Sequence, residues 1–119
     1  MTCPAGVVRI LHNARVDLSN EKNAQAEIET LFAAAGIAFD REKRLSARDI
    51  PDFFLPEIGL AVEVKLAGAR KMEVFKQLQR YARHEEVVSI LLATSMSMGL
   101  PQEIEGKPAY YASLGRGWL

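Results

Sequence analysis

The heptapeptide Leu60-Ala-Val-Glu-Val-Lys-Leu66 constrains this chain more than any other stretch. Side chains alternate across a strand, so Leu60, Val62, Val64 and Leu66 face one way and Ala61, Glu63 and Lys65 the other. A strand this apolar has no structural need for two opposite charges side by side on one face. They form either an ion pair at a sheet edge or part of a reactive site. Pro56-Glu-Ile-Gly59 before the strand is turn chemistry. Asp49 to Leu55 ahead of that turn reads as a short strand interrupted by Pro51, which makes an antiparallel hairpin with the heptapeptide.

The flanking segments supply helices. Ser19 and Asn20 offer caps for a helix from about Glu21 to Ala35, with an apolar stripe of Ala24, Ile28, Leu31, Phe32 and Ala35. Gly36 sits where a left-handed cap belongs. Ile37 to Leu45 alternates loosely. Gly68 marks the strand exit, and Arg70 to Glu85 reads as a helix with core residues Met72, Phe75, Leu78 and Ala82. Val87 to Ala93 is a nearly continuous apolar run, as a central parallel strand requires. Strand, helix and strand of this length imply a right-handed crossover. Pro101 to Glu105 reads as a short helix and Ala109 to Ser113 as a final strand; in Met1 to Leu18, Val7, Val8, Ile10 and Leu11 suit a strand or a short helix, and the segment reads as a weak strand-like arm. The order is helix, three strands, helix, strand: an α/β fold with a mixed sheet flanked by helices.

The chain has 119 residues, of which 49% are hydrophobic and 25% charged, enough for one domain with its own core. The core spans about residues 21–94, with an arm over 1–19 and an extension over 95–119. A single cysteine, Cys3, excludes an intrachain disulfide and a cysteine-rich zinc site, and fits a reducing, cytoplasmic compartment. No apolar run approaches the roughly 18 residues of a membrane span. The N-terminus lacks a signal-peptide pattern.

Fifteen basic residues balance fifteen acidic ones, which argues against a simple polycation. Their distribution is uneven. Arg41, Lys43, Arg44 and Arg48 fall in one segment; Lys65, Arg70, Lys71, Lys76, Arg80 and Arg83 fall in another. Such runs are either solvated faces or phosphate-tracking surfaces. His12 and His84 lack partners at metal or triad spacing and are expected at the surface. Ser95 and Ser97 lack an elbow context, and no glycine-rich phosphate loop is present.

Asp52 lies before the hairpin turn and Glu63 after it, at similar offsets, so both carboxylates fall near one another on one face. Two carboxylates about 4 Å apart repel by roughly 4 kcal/mol at an effective dielectric of about 20. A shared proton, a lysine or a divalent cation must offset that, and a hard cation with oxygen ligands does it best. Pro51 removes a ladder donor and suggests a bulge or edge that re-aims Asp52.

Pro51-Asp52 followed by Glu63-Val64-Lys65 resembles the motif of the PD-(D/E)xK nuclease superfamily. The order of elements is also that of its restriction-endonuclease-like core, and Gln77-Leu-Gln-Arg-Tyr81 is similar to the Gln-x-x-x-Tyr motif of its RecB-like branches. The match covers roughly Glu21 to Thr94. The resemblance implies Mg²⁺ or Mn²⁺ bound by Asp52, Glu63 and the Val64 carbonyl. Glu27 of the first helix would be a further ligand, with Glu29 as the alternate, since helical periodicity places both beside Ile28. Lys65 would hold or help deprotonate the attacking water. Gln77 and Tyr81 would contact DNA or order the site, with Arg70, Lys71, Arg44 and Arg48 as further DNA contacts.

The expected activity is metal-dependent phosphodiester hydrolysis, as a structure-selective DNA endonuclease acting on branched, flap or junction DNA. A DNA exonuclease or RNA nuclease of the same fold, and a binding module without turnover, are the alternatives. Bare cores of this kind are similar to VRR-type nucleases and archaeal-type junction resolvases, which implies a homodimer. Val7 to Leu11, Tyr110, Tyr111, Trp118 and Leu119 are candidate interface residues, or core.

Overall fold

The structure, a computed structural model, describes residues 2–115. Three helices and six strands alternate along the chain: α1 (Pro4–His12), α2 (Glu21–Ala34), β1 (Asp40–Arg41), β2 (Phe53–Leu55), β3 (Leu60–Lys65), α3 (Lys71–Ala82), β4 (Ser89–Thr94), β5 (Glu103–Ile104) and β6 (Lys107–Ser113). The strands form one mixed sheet in the order β1-β2-β3-β4-β6-β5. β1 pairs with β2 and β2 with β3 antiparallel, β3, β4 and β6 are mutually parallel, and β5 returns antiparallel to β6. The radius of gyration is 13.1 Å, close to the roughly 13–14 Å of a compact chain of this length. Among the described residues no helix is long and apolar enough to cross a membrane.

The alternation of β3 divides the core as its sequence dictates. Leu60, Val62, Val64 and Leu66 join Leu91 and Ala93 of β4 against α1 and α2, where Val7, Leu11, Ala24, Ile28 and Phe32 are buried. Ala61 joins Ile90 and Leu92 on the opposite face, under Val74, Leu78 and Tyr81 of α3. Glu63 and Lys65 share this second face by strand parity.

Local chemistry sets the element ends. The Asn20 side chain accepts the Asn23 N–H at 3.0 Å and caps α2. At the other end Gly36, with φ +73°, closes a Schellman motif in which the Ile37 N–H reaches the Phe32 carbonyl at 2.9 Å. Gly59 ends the β2–β3 turn with φ +63°, and a Cβ there would meet Val88 Cγ2 at 2.6 Å. Its carbonyl accepts the Val88 N–H at 2.8 Å, tying the hairpin to the start of β4.

Several expectations are corrected. The N-terminal arm is a helix, begun by Pro4 in its first turn, with Val7 and Leu11 buried one turn apart. Those two residues are core and offer nothing to a partner chain. Met72 is 65% exposed; α3 is rotated so that Val74, Leu78, Tyr81 and Ala82 face the sheet. Pro101 to Glu105 contains β5, an edge strand, in place of a short helix. The loose alternation of Ile37 to Leu45 yields a two-residue strand, and β2 begins only at Phe53. Tyr110 packs against the core, and the Tyr111 hydroxyl donates to the Met96 carbonyl at 2.5 Å. Trp118 and Leu119 lie outside the described residues.

Candidate functional site

Pairing of β2 with β3 sets Phe53 opposite Val62 and Leu55 opposite Leu60. Extended by one residue, this register places Asp52 opposite Glu63; extended by two, it places Pro51 opposite Val64. The Val64 N–H donates to Asp52 Oδ2 at 2.7 Å, so this residue's backbone points toward β2. In a strand the N–H and C=O of one residue point the same way, so the Val64 carbonyl faces that side too. A regular ladder would satisfy it with the N–H of residue 51. Proline has none. Pro51 therefore ends the pairing, leaves the Val64 carbonyl without its ladder donor, and turns Asp52 so that its carboxylate takes the Val64 N–H.

Glu63 is 3% exposed. Its Oε1 accepts the Tyr81 hydroxyl at 2.9 Å, and its Oε2 lies 3.2 Å from Lys65 Nζ. Gln77 Nε2 donates to the Tyr81 oxygen at 2.8 Å, which directs the phenol proton toward an acceptor. The Ile50 carbonyl, 3.2 Å from the same hydroxyl, is the weaker competitor.

The electrostatics follow from this crowding. Burial pushes the Asp52 carboxyl up to about 6, against the opposing pull of the Val64 N–H and the Lys65 charge. Burial and then the neighbouring Asp52 charge push Glu63 up to about 7. Burial works to lower the Lys65 pKa, but the charge and hydrogen bond of Glu63 outweigh it, so Lys65 is held as an ammonium. Burial beside Glu63 raises the Tyr81 phenol far above its ordinary range, so it remains a donor.

The expected site residues divide. The structure brings Asp52, Glu63, Val64, Lys65, Gln77 and Tyr81 together. It does not bring in Glu27, whose Oε1 accepts the Asp17 N–H at 2.6 Å on the exposed side of α2. Glu29 is drawn off by Arg41 at 2.6 Å. The acid of α2 whose charge acts on both Asp52 and Lys65 is Glu21, the first residue of the helix. Its place there is the feature that sequence reasoning passed over. Tyr81 is fully buried, and the contact it makes in the site is the hydrogen bond its hydroxyl donates to Glu63.

The basic segments also divide. Arg41 is held by Glu29, by Gln25 and by the Asp52 carbonyl, and lies over the Phe53 ring. Lys43 pairs with Glu86, and Arg83 with Glu105. Arg80 binds Asp49 at 2.8 Å, and His84 Nε2 lies 2.9 Å from the other Asp49 oxygen. His84 is thus not the unpartnered surface histidine expected. Arg44, Arg48, Arg70 and Lys71 are exposed.

Among the described residues no cluster of three or more acidic, histidine or cysteine side chains is placed to hold a metal ion. The convergent donors are two carboxylates and one backbone carbonyl, all oxygen, with mutual repulsion in want of positive charge. That set fits a hard divalent cation that keeps water in its remaining positions. Comparison with known proteins gave no match to any family model, curated protein or solved structure.

Proposed function

We propose that this chain is a metal-dependent nuclease of the PD-(D/E)xK type, cutting DNA as a structure-selective endonuclease. The observation that carries the reading is the arrangement around Pro51: two crowded carboxylates, a backbone carbonyl without a ladder donor and a charged lysine, drawn from two adjacent strands. A structural ion pair accounts for Glu63 with Lys65. It does not account for a second carboxylate driven against the first.

Asp52, Glu63 and the Val64 carbonyl would hold Mg²⁺ or Mn²⁺. When bound, such an ion lowers the pKa of water and screens charge on a phosphate. Lys65, kept protonated, positions the attacking water and stabilises negative charge on the phosphoryl oxygens, a role suited to a compact ammonium. Tyr81, aligned by Gln77, fixes Glu63. Glu21 adds negative charge at the start of α2, in the role first given to Glu27. Arg44, Arg48, Arg70 and Lys71 present exposed cations to the DNA backbone. A symmetric dimer would present two such sites to two strands.

The test is incubation of the purified protein with Mg²⁺ or Mn²⁺ and a panel of single-stranded, duplex, flap and four-way DNA, plus RNA. The reading expects metal-dependent internal cuts in branched DNA, lost in Lys65→Ala. Cleavage by Lys65→Ala at the parent rate contradicts it.

A further inference from the structure

Met72 is one of two large apolar residues that stand exposed among the described residues, although helical spacing assigns it to the core. It lines an open groove of about 600 Å³. One wall is the start of α3, with Lys71, Met72 and Phe75; the other is the segment after β4, with Met98 and Pro101. Grooves for small organic ligands span roughly 300–1,000 Å³. Both walls are anchored: Phe75 and Met98 are partly buried against the core cluster under α3.

The groove sits where the sheet delivers its chemistry. β3 and β4 are parallel, with Lys65 paired to Thr94 at their carboxyl ends. The chain leaving Lys65 leads into α3, and the chain leaving Thr94 leads into Met98. Both walls therefore rise from the edge of the sheet that carries Lys65, the edge at which open α/β sheets bind ligands. Charge lies at the rim. Arg70 and Lys71 are exposed, and the one acid of the first turn, Glu73, is 4.0 Å from Arg70, too loose and too solvated to cancel both.

An apolar trough with cations at one lip matches a single chemical unit that is flat and apolar at one end and anionic at the other. We propose that the groove takes one unpaired nucleotide of a DNA strand, its base against Met72 and Phe75 and its phosphate on Lys71. A base inside a duplex is stacked on both faces and has none to offer; an unpaired base does. Resting on the nuclease reading above, this names the substrate class: DNA with an unpaired nucleotide beside the scissile bond. Thioether sulfur and aromatic edges suit any base, so the groove selects structure over sequence.

The experiment uses the full chain and a flap oligonucleotide carrying 2-aminopurine at its first unpaired position. In Ca²⁺, wild-type protein should change the probe's fluorescence on binding; in Mg²⁺ it should cut the flap faster than the matching paired duplex. Met72→Asp, at an exposed position, should abolish the fluorescence change. It should slow flap cleavage roughly tenfold while altering duplex cleavage less than about twofold, and Met72→Leu should restore both. Equal losses on flap and duplex, or an unchanged flap preference in Met72→Asp, overturn the groove assignment. Wild-type fluorescence change without cleavage of any substrate overturns the nuclease reading alone. Cleavage without a fluorescence change overturns the groove alone.

Discussion

Asp49 and Asp52 stand three residues apart on one loop and meet opposite electrostatic surroundings. Asp49 is buried, which works against its charge, yet hydrogen bonds from His84 and Arg80 and their positive charges hold it below the usual carboxylate range. Asp52 is driven to about 6, chiefly by burial, and its backbone donor and Lys65 do not make up the difference. The first carboxylate is satisfied by the protein alone. The second is left short of positive charge. Carboxyl pKa values raised in this way cluster at functional sites, so the contrast sets a fastening beside a candidate site.

The largest effect expected is on turnover. Asp52→Ala and Glu63→Ala should each reduce metal-dependent cleavage by roughly 10²- to 10³-fold or more, as loss of a preorganised electrostatic group does. Single-turnover rates at saturating metal measure this. Asp49→Ala should instead destabilise the protein by about 2 kcal/mol in urea unfolding, because it strands Arg80 and His84 without their acceptor. If Asp49→Ala and Asp52→Ala behaved alike in both assays, the distinction between fastening and site would be lost.

The pH dependence sharpens the same contrast. A carboxylate whose pKa is raised by folding holds its proton more tightly in the native state. The stability from Asp52 and Glu63 is present below the ordinary carboxylate pKa and is lost as pH rises through about 6 and about 7. Asp49 has the reverse sign: its contribution is present above the ordinary carboxylate pKa and is lost as pH falls through the lowered folded value. The metal-free protein should therefore melt at a lower temperature at about pH 8 than at about pH 5.5. Asp52→Asn should flatten that slope and stabilise the metal-free protein at about pH 8 by on the order of 1–2 kcal/mol. Thermal melts across pH check both.

The smallest effect falls on Tyr81→Phe. Removing the phenol proton leaves Glu63 with Lys65 as its remaining side-chain donor, so the acid limb of the cleavage profile should move upward by less than about one pH unit. A pH–rate profile of the variant measures it.

The candidate site was legible in the chain because its geometry is local. Strand alternation put Glu63 with Lys65, a short turn brought Asp52 opposite, and Pro51 marked the break in pairing. The acid of α2 was not legible in the same way, because Glu27 and Glu29 flank Ile28 equally and only the folded chain brings the charge of Glu21 to bear on Asp52 and Lys65. Rotation of α3 was missed for a related reason. Met72 and Phe75 read as apolar, yet a buried Tyr81 decides the face because its hydroxyl finds Glu63. The Asp49–His84 contact joins residues 35 apart in sequence, and no periodicity reports it. In α1 the spacing of Val7 and Leu11 after Pro4 was available and outweighed by their β-compatible neighbours.

The most direct test of the central claim is calorimetric titration of Mn²⁺ into the protein at about pH 6.5, in two buffers of different ionisation heat. The account predicts binding with release of protons from the carboxylate pair, lost in the Asp52→Asn, Glu63→Gln double variant. Absence of binding, or binding undiminished in that variant, would contradict it.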